Sequence, residues 1–521
     1  MILKDSEKIK NAAGRWVPKK INGEAQTPYK GIAKHKPKTA KFGPRGVSCA
    51  DYPNDGNKLV ASLREALENA GLKDGMTIST HHHFRNGDYL ANQIFDIAHD
   101  LGVKNLIWFP SASFPCHQHL IQYLEDGTIH HIEGSMNGPL GRFTSEGKMK
   151  GLGVLRSHGG RYQAVQDGEV QIDIAVIGAG CADSFGNANG LSGPSSTGLL
   201  GFALADSQYA EKVIVVTDNM VQFPCYPWQI QGNYVDYTVQ VDKLGDSEKI
   251  ISGTTEITKS PDRLFLAELT ARFCEHAGII KDGFSFQSGA GGTSLAVGEF
   301  FRKIMKEKGI KARFARGGSN KYLVSMLEEG LVEYILDGQT FDLEGVRSMA
   351  ENAGHISTSP FTSYNYHGKG NFASLVDVVI LGATEIDVNF NANVVTHSDG
   401  YLLHGMGGWQ NCLFSKTVIL PVPLFRDRIP VIVDEVTTLC GPGELIDVVV
   451  TERGIAINPR RKDLIKAVKD SGLPVMTIEE LKDKAEKICG KPEKPKLEED
   501  IVAVIKWVDG TLLDSVRKIK Q

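Results

Sequence analysis

The chain lacks most of the features that would take it out of the class of ordinary soluble enzymes. No apolar run approaches the roughly 18 to 20 residues of a membrane span, and the opening MILKDSEKIKNAAGRW has no apolar signal core, so a cytoplasmic location is expected. The eight cysteines are scattered, among them Cys116, Cys181, Cys225 and Cys412, without CxxC pairs or zinc-ligand spacing. Reduced thiols and no metal site are expected. A formal net charge of -4 gives the chain as a whole no excess of positive charge for nucleic acid. Prolines are few, 21 against 56 glycines, which suits many tight strand-to-helix turns, and 41% hydrophobic with 23% charged residues excludes disorder as the default.

At 521 residues the chain exceeds one ordinary core and suits two or three domains. Charge is unevenly spread. Residues 1–46 carry twelve Lys or Arg against three Asp or Glu, and Pro18, Pro28, Pro37 and Pro44 interrupt any long helix. A flexible basic arm is expected there, free to be solvated, packed on its own chain, or clamped on an acidic partner or phosphate-bearing cofactor.

An internal repeat organises the rest. DIAVIGAGCADSFGNAN (173–189) and DVVILGATEIDVNFNAN (377–393) match at an offset of 204, and Lys212 of KVIVV recurs as Lys416 of KTVIL at the same offset. Upstream, DYLANQIFDIAHDLGVKNL resembles SLAVGEFFRKIMKEKGIKAR at an offset of 207. Each half reads as strand, Gly- or His-rich loop, helix and further strands, the alternation of a parallel α/β sheet. The expected fold is α/β: two tandem open, mainly parallel domains related by duplication, at about 47–255 and 256–490, with a Lys/Pro linker and a C-terminal segment over 491–521. Ligands of such sheets bind at the carboxyl ends of the strands.

AVIGAGCAD resembles a dinucleotide fingerprint only in part, because Asp183 stands where the third glycine is needed. His81, His82 and His83 follow a strand, and neighbours on an extended chain point to opposite faces, so at most two share a site. With Arg85 they suit a polycarboxylate, since Arg offers a bidentate fork; buried structural histidines are the equal alternative. Gly289, Gly291 and Gly292, opening a helix, present bare amides to an anion or oxyanion, unless they serve only the turn. A second glycine loop, Gly405, Met406, Gly407, Gly408 and Trp409, lets a ligand approach the backbone. Glu385, Asp387, Asn389, Asn391 and Asn393 lie between the two as candidates to orient a carboxylate or carbonyl.

VDVVILGATEIDVNFNANV, the Gly-x-Gly-Gly of YLLHGMGGWQNCLFSKTVIL, and LIDVVVTERGIAI together resemble the CoA transferase superfamily over nearly the whole chain. GVSCADYPNDGNKLVASLREAL and GMTISTHHHFRNGD resemble citrate lyase alpha subunits more narrowly. Ordinary CoA transferases carry a nucleophilic glutamate upstream of the Gly-Gly loop. Here the corresponding stretches, Gln287-Ser-Gly-Ala-Gly-Gly and Ala315-Arg-Gly-Gly-Ser319, hold none, and Gly317 aligns with the expected carboxylate.

The resemblance implies a transferase that exchanges acetate for citrate on an acyl carrier thioester, with a CoA-derived prosthetic group on a separate carrier (gamma) subunit and cleavage by a lyase (beta) subunit. Without a relay carboxylate, citrate itself would attack the acetyl thioester and pass through a mixed anhydride. His81, His82, His83, Arg85, Asn389 and Asn391 would then hold citrate, Gly289, Gly291 and Gly407 would serve the oxyanions, and Gly292, Gly405, Met406, Gly408 and Trp409 would cradle the thioester and its arm. Glu385 would orient substrate or act as a displaced nucleophile. A citramalate-specific homologue, a free-standing acetate:CoA transferase, an inactive scaffold and a sugar-phosphate isomerase are the alternatives.

Overall fold

The β-branched runs that carry the repeat form strands at the centres of two sheets. The computed structural model describes residues 5–32, 34–35, 56–250, 255–289 and 291–520. Residues 36–55, which hold the rest of the basic arm and the GVSCADYPND stretch, lie outside them, as does Ala290 of the first glycine loop.

The first sheet contains β1 (Leu59–Val60), β2 (Thr77–Thr80), β3 (Leu106–Pro110), β4 (Ile129–Ile132), β5 (Ile174–Ala179), β6 (Lys212–Thr217) and β7 (Tyr237–Gln240). Its order is β1-β7-β6-β5-β2-β3-β4, and every pairing is parallel. The second contains β8 (Ser285–Ser288), β9 (Ala312–Ser319), β10 (Val332–Thr340), β11 (His355–Ser357), β12 (Val378–Ile380), β13 (Val418–Pro421), β14 (Val448–Thr451), β15 (Gly454–Ile457) and β16 (Val475–Met476), in the order β11-β10-β9-β8-β12-β13-β14-β15-β16. Only the β14–β15 pairing is antiparallel. The run β7-β6-β5-β2-β3-β4 has the same order as β14-β13-β12-β8-β9-β10. The expected duplication is therefore present in the topology.

The repeated residues prove to be structural. Asp173 accepts the Thr77 N–H at 2.7 Å and its counterpart Asp377 accepts the Ser285 N–H at 2.9 Å, so each ties β5 or β12 to the strand beside it. Asp183 accepts from the Phe185 and Asn187 amides and from the Asn187 side chain, while Asn187 Oδ1 accepts the Gly232 N–H. Asp387, Asn391 and Gly443 repeat that loop bond for bond. Satisfying buried amides demands these residue types whether or not the loop does chemistry.

The segments outside the repeat join the two units. Lys8–Lys10 pairs with Trp16–Pro18 and Lys20–Ile21 with Glu24–Ala25, so this part of the expected flexible arm is instead two short hairpins. The C-terminal segment is a long hairpin, Leu497–Lys506 with Leu512–Ile519, whose first strand adds in parallel to Gly153–Leu155 of the first unit. Asp514 of the same hairpin accepts the Leu439 N–H of the second unit at 2.7 Å. The largest apolar core runs through both units without a break. No helix among the described residues is long and apolar enough to cross a membrane.

Candidate active site

The carboxyl ends of the two parallel sheets face each other, and the loops that leave them meet between the units. After β2 the chain turns sharply through His81 to Gly87. His81 is buried with Nε2 2.8 Å from Asp206, which also takes Arg161 at 2.8 Å and a short bond from Ser79. Burial opposes a charge on Asp206, but Arg161 and His81 prevail and hold its carboxyl well below the usual range. His83 lies 2.8 Å from the Gly178 carbonyl and is pulled down to about 4 by burial and by His81. The rings of these two of the three histidines are committed within the first unit, the structural alternative of the sequence reading.

His82 and Arg85 point between the units. His82 Nδ1 is 2.5 Å from Ser111 Oγ, and its Nε2 is 3.2 Å from Gln339 of the second unit. Burial and the neighbouring His158 keep it neutral. Arg85 is 8% exposed, with its guanidinium carbon 4.8 Å from the Phe341 ring centroid and 5.8 Å from that of Phe114. Among the described residues no carboxylate pairs with it, and Nε is buried without a partner. Burial pulls its pKa down to about 10, so it stays charged at neutral pH. A buried arginine without a counter-ion is costly unless a ligand supplies the anion.

The second unit contributes an element the sequence did not reveal. Gly317, at φ 113°, sits at a bulge where β9 slips against β10, and a Cβ there would lie 3.2 Å from Gln287 Cγ. The bulge therefore favours glycine at this position. Next to it Arg316, 1% exposed, donates to Gln287 Oε1 at 2.6 Å and stacks 4.6 Å from the Tyr364 centroid. Its Nε and Nη2 have no partner. Tyr364 in turn stands 6.1 Å from His158, and His158 5.1 Å from His82. Arg316, Tyr364, Gln339 and His158 carried no motif, and only the buried, unpaired state of the arginine marks them.

The glycine loops divide. Gly289, Gly291, Met406 and Trp409 line one cleft of about 780 Å³ together with His404 and Arg426. Gly407 and Gly408 turn to the other side, against His158 and Tyr364, so the loop is the wall between this cleft and the arginines. Two expected members are packed away: Gly292 abuts the backbone of Glu256 and Thr258, and Gly405 abuts Ser135. Glu385 is also excluded from the cleft lining. Its carboxylate accepts from Asn393 Nδ2 at 2.9 Å and from the Thr437 amide and hydroxyl at 2.9 and 3.1 Å. Asn391 is committed to Asp387 and Gly443, and the Asn389 amide to Asp387. Asn391 and the Asn389 backbone thus belong to the structural loop around Asp387, and Glu385 to the adjoining contact with Asn393 and Thr437.

Two duplicated parallel domains closing on unpaired buried arginines, beside a glycine-loop cleft, define a protein of CoA-transferase-like fold. A chain of a Pseudomonas malonate decarboxylase hetero-tetramer in complex with malonate shares this fold, at a TM-score of 0.60 and 20% identity over 82% of this chain and 85% of that one. The family model described as "Citrate lyase, alpha subunit" matches residues 56–519. The citrate lyase alpha chain of Klebsiella pneumoniae is 40% identical over 95% of this chain and 96% of its own, and that of Escherichia coli 39% identical over 89% and 91%. A Streptococcus mutans structure, described as that subunit in complex with citrate, aligns at a TM-score of 0.94 and 42% identity over 98% of this chain and 100% of that one. The chain belongs to the citrate lyase alpha subunit family, and is a citrate:acyl-carrier-protein transferase subunit of that enzyme.

Proposed function

We propose that the cleft between the units exchanges acetate for citrate on a carrier-borne thioester without an enzyme-bound acyl intermediate. The observation that carries this is the pair of buried guanidiniums, Arg85 and Arg316, with no counter-ion among the described residues, in a site where Gly317 replaces the relay carboxylate. Guanidinium forks match the carboxylates of citrate, and the narrow approach permitted by Gly407 suits an acyl thioester entering from the 780 Å³ cleft. The arm in that cleft would be the CoA-derived group of a gamma carrier subunit, and a beta subunit would cleave the citryl thioester formed, all in the cytoplasm.

The chemistry follows from the donors present. An oxygen of a citrate carboxylate attacks the acetyl carbonyl; the tetrahedral adduct expels the thiolate and leaves a citryl–acetyl anhydride. The same thiolate then attacks the citryl carbonyl and acetate departs. A thiol of pKa about 8.5 leaves without a strong acid, so alignment, amide donors and exclusion of water are what the protein must supply. Neutral His82 agrees with this, because it neither protonates the attacking carboxylate nor holds it in an ion pair.

The test is to mix the chain with acetyl-CoA, standing in for the carrier, and citrate labelled with ¹⁸O in its carboxylates, and to follow one turnover by mass spectrometry. The expected products are citryl-CoA and acetate carrying one ¹⁸O. Unlabelled acetate in the first turnover would show that an enzyme carboxylate had relayed the acyl group.

A further inference from the structure

Unlike the three histidines that follow β2, His158 has no hydrogen bond to its ring among the described residues. His81, His82 and His83 are held by Asp206, by Ser111 with Gln339, and by the Gly178 carbonyl. His158 is fixed by everything except its nitrogens. Its backbone N–H donates to Gly407 O at 2.7 Å, and the next amide, that of Gly159, donates to Asn411 Oδ1 at 3.0 Å, so the second unit anchors this turn of chain. Phe202, His82 and Tyr364 pack the ring at 4.5, 5.1 and 6.1 Å between centroids. Among the described residues neither ring nitrogen has a hydrogen-bond partner, and the side chain is only partly buried.

The ring lies over the bare Cα of the glycine loop. A Cβ on Gly407 would stand 3.9 Å from His158 Nε2, so the nitrogen borders the space that the missing side chain leaves open. Gly407 adopts φ 57°, a conformation that also favours glycine, and the loop and the imidazole are therefore held in one geometry. Resting on the reading of the cleft given above, we infer that His158 is a further catalytic residue, whose Nε2–H donates a hydrogen bond to the oxyanion formed as citrate adds to the thioester carbonyl.

In that step the carboxylate oxygen bonds to the carbonyl carbon, the C=O π pair moves onto oxygen, and His158 stabilises it; when the pair returns, the C–S bond breaks and the thiolate leaves. Burial, with Arg161 nearby, lowers the imidazole to about 3, which keeps it neutral throughout. A neutral ring can donate to the oxyanion without protonating the thiolate or trapping citrate as an ion pair. It is the electrophile appropriate to a reaction in which no proton is transferred.

The experiment uses the full chain with citrate and acetyl-CoA or the acetylated carrier, comparing H158F, which keeps an aromatic ring but no donor, with H158Q, which keeps a donor. H158F is expected to lose about 10²- to 10³-fold in kcat, the usual effect of removing one oxyanion donor. KM for citrate and the thermal midpoint should be unchanged, and H158Q should recover at least about tenfold of the loss, within that same range. Undiminished kcat in H158F, or equal loss in both variants, would overturn the inference alone. Absence of citryl thioester from the wild-type chain would overturn the reading of the cleft and this inference with it.

Discussion

Arg85 is held at φ 51° and ψ −132°, a conformation that only glycine adopts readily, and its guanidinium is buried without a counter-ion. Each feature costs on the order of 1 to 3 kcal/mol. Both are removed together in Arg85→Gly. That variant should therefore be at least as stable as the wild type by thermal unfolding, while KM for citrate rises by about 10- to 100-fold, the worth of a charge-assisted hydrogen bond. A stable variant with unchanged KM would remove Arg85 from the citrate site. Arg85 stood out in the sequence as a bidentate fork beside donor histidines in a loop after a strand. Arg316 did not, since nothing in ARGGS separates an unpaired buried arginine from an exposed one. Glu385 shows the converse: nothing in the sequence indicates that Asn393 and Thr437 already occupy its carboxylate.

At the scale of elements, the helix Leu90–Asp100 behind the site is held by a buried pair. Asp88 accepts the Leu90 N–H at 2.8 Å with one oxygen and lies 3.0 Å from His117 Nε2 with the other. Burial opposes a charge on His117, but hydrogen bonds to Asp88 and Cys116 and the charge of Asp88 outweigh it and hold its pKa up to about 9, against 6.5 for the free side chain. A folded-state pKa above the unfolded one gives stability that is fully present below pH 6.5 and lost as pH rises through 9. The loss should be on the order of 2 to 3 kcal/mol. Urea midpoints at pH 6 and pH 9.5 measure it, and His117→Asn should flatten that difference. The helix itself was expected from the repeat, as the element after the His-rich loop. Its anchor was not, because Asp88 and His117 meet only once β2 and β3 are side by side.

The whole molecule is fastened by its ends. Trp507, fully buried near the tip of the C-terminal hairpin, lies 5.7 Å from Tyr29 of the N-terminal segment and 5.9 Å from Phe414 of the second unit. Trp507→Ala should cost about 3 to 5 kcal/mol. Because the core is continuous through both units, unfolding should remain a single transition, displaced to lower denaturant. Separate transitions would show that the hairpin, rather than the shared core, couples the units. By itself the sequence determined the parallel α/β class, the duplication, the glycine loops and the lack of a glutamate in ARGGS, because the period of apolar residues and the need to satisfy backbone amides are local demands. Only the tertiary structure shows which polar side chains are already committed: Glu385, Asn391 and His81 are held by Asn393 with Thr437, by Asp387 with Gly443, and by Asp206, whereas Arg85 and Arg316 are buried without a counter-ion among the described residues, because burial and pairing depend on segments that meet only in the folded chain.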